Sequence, residues 1–102
     1  MVALADDEPL FKLGKIVATP GAIQCLQKAG IDPALLLDRH SKGDWGNLCD
    51  ADKKANDEAV QSGDRILSAY SVTTGVKIWI ITEAAGRRGL RESTCLLLPE
   101  EY

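Results

Sequence analysis

The hydrophobic period of the chain changes near residue 65. Before that point apolar residues recur at helical spacing between turn signals. After it they alternate, as they do along strands. Thr19-Pro20 opens the first helical stretch. Threonine accepts from the first free amides, and proline at the first helical position gives up no needed hydrogen bond. Ala22, Ile23, Leu26 and Ala29 follow as an apolar stripe, and Gly30 supplies a left-handed stop. The pattern predicts a helix over about 20–29. Asp32-Pro33 repeats the start signal, and Leu35, Leu36 and Leu37 offer the buried side of a second helix over about 33–40. Their short connection predicts packed neighbours. Residues 41–49 (SKGDWGNLC) read as a loop with two glycines bracketing Asp44-Trp45. Asp50 reads as the cap of a third helix, about 51–62, ended by Gly63. Its stripe is only Ala51, Ala55, Ala59 and Val60, a narrow face that allows close approach to another element.

Three strands are predicted beyond residue 65, over about 65–72, 76–83 and 93–98, as an antiparallel meander. The register of the first hairpin follows from side chains. A two-residue loop at Thr74-Gly75 sets Tyr70 opposite Trp79 and mixes both faces. A three-residue loop sets Tyr70 opposite Ile78 and Ser68 opposite Ile80, and puts Gly75 where a left-handed residue is required. One face then carries Ile66, Tyr70, Val72, Val76, Ile78 and Ile80. The other carries Leu67, Ala69, Trp79 and Ile81, too apolar for a solvated surface. The amino-terminal arm, a helix or a partner is expected to cover it. A one-residue slip exchanges the faces, so the register decides where function is sought.

Residues 1–12, with Asp6, Asp7, Glu8 and Pro9, read as a flexible lead-in. Residues 12–19 (KLGKIVAT) read either as a short strand or as an extended arm, so the domain proper is 13–102. The expectation is a single α+β domain: an amino-terminal strand or arm, three helices, then a three-stranded meander. At 102 residues, with 45% hydrophobic and 26% charged residues, the chain is long enough to bury a core without staples.

A net charge of −3 disfavours nucleic acid, though it does not forbid it, and turns attention to protein partners. Cys25, Cys49 and Cys95 are odd in number and widely spaced, which suits small buried hydrophobes in a reducing cytoplasm rather than disulfides or a zinc site. No signal-peptide pattern opens the chain, and its apolar runs are too short to span a bilayer. A cytoplasmic protein without metal or cofactor is expected.

No catalytic set stands out. His40 is the single histidine. With Ser41, Asp44 and Cys49 nearby it can be drawn as a base beside a nucleophile, or as a helix-end histidine interacting with the helix dipole. The acidic stretch from Asp44 to Asp64 lacks the order of a calcium loop. Trp45 reads as a core plug or as a surface anchor. Arg87, Arg88 and Arg91 share a glycine-containing hairpin loop able to grip phosphate or carboxylate, or simply solvated. The partner-binding candidates are therefore Trp79, Leu67, Ile81, Trp45, Arg87, Arg88 and Arg91.

Several segments together resemble a family of short bacterial proteins of plasmids and other mobile elements. They are His40-Ser41-Lys42-Gly43-Asp44-Trp45-Gly46, then Asp52 and Asn56, and Arg65-Ile66-Leu67-Ser68-Ala69-Tyr70. Ile78-Trp79-Ile80-Ile81-Thr82-Glu83 and Leu98-Pro99-Glu100-Glu101-Tyr102 complete the set. The resemblance brings no activity or cofactor. It implies an accessory protein acting on host or competitor machinery. The expected function is non-enzymatic: a regulator or inhibitor that binds a protein partner. Two alternatives stand beside it. One is a RelE/ParE-like nuclease-type toxin, by analogy of element order, using His40 and the arginine loop. The other is a homodimer formed through the Trp79 face.

Overall fold

A computed structural model describes residues 8–73 and 75–102. The seven leading residues of the expected lead-in lie outside them. The chain runs β1 (Lys15–Ala18), α1 (Pro20–Ala29), α2 (Pro33–Ser41), α3 (Asp50–Ser62), β2 (Ile66–Thr73), β3 (Val76–Thr82) and β4 (Ser93–Leu97), then a short 3-10 turn, Pro99–Glu101. It is an α+β fold with a four-stranded sheet in the order β1-β4-β3-β2. The meander is present, and β1 adds a parallel strand beside β4, so the sheet is mixed and not three-stranded. β1 carries too few residues to declare itself locally; the β4 edge it pairs with is distant in sequence. No helix of the described residues is long and apolar enough to cross a membrane.

The caps follow the sequence signals in two helices of three. Thr19 Oγ1 accepts from Ala22 N–H, and Asp32 accepts from Ala34 N–H. α3 differs: Cys49 occupies its cap position without a side-chain bond, and Asp50 is the first helical residue. There Asp50 and Asp52 act on the helix dipole instead.

The hairpin register is the one chosen from the face pattern, with Tyr70 opposite Ile78 and Ser68 opposite Ile80. The ladder closes on Thr73 opposite Val76, with a register shift between Ser71 and Thr73. A shift in the ladder thus supplies the offset that a three-residue loop was expected to supply.

All three helices contribute to the face of the sheet that carries Ile78. Ala22 and Leu26 of α1 and Leu36 of α2 pack with Tyr70, Ile78, Ile80 and Leu96. Ala59 of α3 packs with Ile66, Trp45 and Phe11. The helix stripes are narrower than expected: Ile23 and Leu35 are exposed, and α3 buries Asn56 and Ala59, leaving Ala51 and Ala55 in solvent. Within the expected lead-in, residues 8–10 and Lys12 are exposed and Phe11 is the exception. Phe11 is buried, stacks on Trp45 at 6.2 Å and meets the His40 ring edge-on at 5.3 Å.

Candidate functional site

Three strands each place a hydroxyl on the helix-covered face at one end of the sheet: Ser68, Thr82 and Thr94. The last full turn of α2 lowers His40 onto them. The four side chains have no exposed surface. His40 Nδ1 lies 2.5 Å from Ser68 Oγ, and Nε2 lies 2.8 Å from Thr82 Oγ1. Thr82 Oγ1 is 2.7 Å from Thr94 Oγ1, which donates to the Leu13 carbonyl at 2.7 Å.

Proton counting gives this chain a direction. The Thr94 hydrogen goes to a carbonyl, which can only accept. Thr82 must then donate to Thr94, so its oxygen accepts from His40 Nε2–H. A neutral imidazole leaves Nδ1 as the acceptor for Ser68. Every donor and acceptor is satisfied with His40 neutral. Its pKa is accordingly lowered to about 4, mainly by burial and further by the nearby Arg91 cation.

Ser68 and His40 thus have the geometry of a nucleophile and its base, with Thr82 orienting the ring. They lack access. Phe11 lies across the imidazole and the Leu13 carbonyl closes the end of the chain. A substrate carbonyl has nowhere to sit within reach of Ser68 Oγ. The arrangement binds α2, the sheet and the amino-terminal segment together. Neither the helix-dipole reading of His40 nor a pair with Ser41 or Cys49 describes it. Ser68, Thr82 and Thr94 are legible in principle as polar residues on the core face of three neighbouring strands, a signal that does not lie next to His40 in the sequence.

Trp45 is the plug, not the anchor. It is 3% exposed, and its Nε1–H donates to Asp57 at 2.9 Å. Arg91 is also interior. Its guanidinium donates to the carbonyls of Ala59, Asp64 and Glu83 and lies 5.4 Å from the Phe11 ring centre. It closes the end of α3 with charge-assisted bonds, so Trp45 and Arg91 are removed from the candidate binding surface. Arg87 and Arg88 remain exposed at the hairpin tip beside exposed Leu90. The cysteines also depart from expectation: Cys25 and Cys95 are half-buried and Cys49 is exposed. Among the described residues no group of three or more His, Cys, Asp or Glu is placed to hold a metal ion.

The outer sheet face holds Leu67, Ala69, Trp79, Ile81 and Leu97. It is covered in part by the carboxy-terminal segment, which neither period nor composition places there. After β4 the Pro99–Glu101 turn folds back, held where Glu101 accepts from Thr19 Oγ1 and Leu98 N–H. These bonds keep the Glu101 carboxyl below its usual range. Tyr102 then lies edge-on to Trp79 at 5.7 Å, with the Arg65 guanidinium 5.6 Å from its ring centre. Along β2 and β3 the Leu67–Ile81 pair lies between Arg65 and the Ala69–Trp79 pair. Ala69, Ile81 and Leu97 are buried, Leu67 and Trp79 half-buried, and Tyr102 is 66% exposed.

Most of the segments that carry the family resemblance meet in one block. Besides the His40 bonds, Tyr70 donates to the Asp44 carbonyl, and the Asn56 amide grips the Leu67 backbone. Searches against protein-family models, curated proteins and solved structures find no significant match.

Proposed function

We propose that the protein is a non-enzymatic binding module that engages a protein partner through the outer face of its sheet. The observation that carries this reading is the Trp79–Tyr102–Arg65 cluster. These three residue types concentrate binding energy at protein interfaces. Here they stand over an apolar sheet face opposite the one on which the α-helices pack, and Tyr102 is mostly exposed while held in place. Leu67 and Ile81 form the floor, and exposed Lys77 lies at the rim. Arg87 and Arg88 add exposed charge elsewhere, at the hairpin tip. The setting proposed for this activity, an accessory protein of a bacterial mobile element acting on host or defence machinery, rests on the sequence resemblance.

The nuclease-type alternative draws on residues the fold uses internally, His40 and Arg91, so no geometric observation favours it. The test is in-cell photocrosslinking in a bacterial host, with a crosslinking residue at exposed Lys77 and Tyr102→Ala as the comparison. The reading expects a discrete crosslinked species that Tyr102→Ala depletes at least tenfold while the circular dichroism spectrum is unchanged. Identical crosslinking by both proteins overturns it.

A further inference from the structure

The two edges of the sheet are treated differently. On β2 the outward backbone groups are closed from Leu67 to the Ser71 N–H. Leu67 N–H and C=O bond to the Asn56 amide, Ala69 N–H and C=O to Trp45 and Asn47, and Ser71 N–H to the Asn47 side chain. This sealing is what monomeric sheet edges need to avoid pairing. On β1 the N–H groups of Lys15 and Thr19 point inward to the Glu92 and Leu96 carbonyls. In a parallel ladder alternate residues face the neighbour, so Ile16 and Ala18 direct their N–H and C=O outward. All four residues of β1 are exposed, including β-branched Ile16 and Val17 on opposite faces.

We infer that this edge pairs with the same edge of a second copy of the chain, antiparallel, on a two-fold axis through Val17. The register follows from the backbone. Centring on Val17 sets Ile16 against the second copy's Ala18 twice, which engages all the outward groups of β1. Centring on Ile16 brings Gly14 into the ladder, and its φ of 66° is not extended. Charge selects the same register. On the outer face Lys15 then stands opposite the second copy's Thr19, whose hydroxyl is bonded to Glu101. Glu101 is exposed and held rigidly by that bond and by the Leu98 amide. The two-fold axis therefore makes two Lys15–Glu101 pairs and places the two Val17 side chains together. The edge adjoins the Trp79 face through the Pro99–Glu101 turn, but its test reads the self-association of the purified chain and not the proposed partner.

Sedimentation equilibrium over a concentration series tests it, together with cysteine trapping. Wild type is expected to approach the dimer mass. Ile16→Pro removes one outward N–H and no bond to β4, and is expected to remain monomeric with an unchanged circular dichroism spectrum and a thermal midpoint that, unlike that of wild type, does not rise with protein concentration. Val17→Cys in a background with Cys49→Ser and Cys95→Ser, which removes the thiol beside it on β4, is expected to form an intermolecular disulfide on mild oxidation, because directly opposed non-hydrogen-bonded pairs bring the side chains within bonding range. Lys77→Cys in the same background is not. A wild type that stays monomeric throughout overturns the inference. So does a dimer that survives Ile16→Pro or fails to trap at position 17.

Discussion

Acidification should loosen this protein at His40 before it protonates most carboxylates. The imidazole is held neutral with a pKa near 4, against an ordinary value of 6.5. Between those values the unfolded chain binds the proton and the folded chain does not, so stability falls as pH falls. The contribution is fully present above about 6.5, is lost progressively toward 4, and does not change further below that. At full effect it amounts to ~3 kcal/mol, of which ~2 kcal/mol is lost between about pH 7 and pH 5. That is a large share of the stability of a domain this size, ~5–15 kcal/mol. The cause is desolvation with repulsion from Arg91, not a broken hydrogen bond, since the Ser68 hydroxyl can turn to accept from a protonated Nδ1. Urea unfolding followed by tryptophan fluorescence at about pH 7, 6 and 5 measures the effect. His40→Gln should be less stable at neutral pH, yet show a flatter decline toward pH 5. Parallel declines in the two proteins, or an imidazole that titrates near 6.5 by nuclear magnetic resonance, refute the reasoning.

Other parts of the fold give sharper contrasts. Arg91→Met leaves three carbonyls without their charged donor and should cost ~3 kcal/mol in chemical unfolding, whereas Arg88→Met at the exposed tip should change stability by less than ~0.5 kcal/mol. Gly46 has φ 76°, and a Cβ there would stand 2.0 Å from the Ala69 carbonyl oxygen. Gly46→Ala should therefore cost more than ~2 kcal/mol, while Gly75→Ala, equally left-handed but in open space, should cost only ~1 kcal/mol; equal unfolding midpoints would contradict this. Asn56→Ala releases the Leu67 backbone and should cost ~1–2 kcal/mol, with amide exchange at Leu67 accelerated beyond what the global loss explains.

Local physics made much of this fold readable. Thr19-Pro20, Asp32-Pro33, Gly30 and Gly63 act on their own neighbours, so the boundaries of α1 and α2 and the end of α3 lie within a residue of expectation. Asp50 misled because Cys49 can hold the cap position without any side-chain bond. The β2–β3 register was legible because it must sort apolar side chains onto consistent faces.

The site was less legible. His40 was visible as a lone titratable group, but its partners lie 28 and 42 residues away, on strands whose faces had been read only for apolar content. Arg91 looked like a member of an exposed trio because sequence distance says nothing about the carbonyls at the end of α3.

The amino-acid order alone therefore determined the helices, the meander and the pairing of Tyr70 with Ile78 in its first hairpin, since these depend on caps and a period of two. Only the tertiary structure decided that β1 joins the sheet in parallel, that the lone histidine is a buried, neutral hydrogen-bond node, and that Tyr102 folds over the outer face. Each of those depends on groups far apart in the chain meeting where water is excluded, and neither period nor composition carries that meeting.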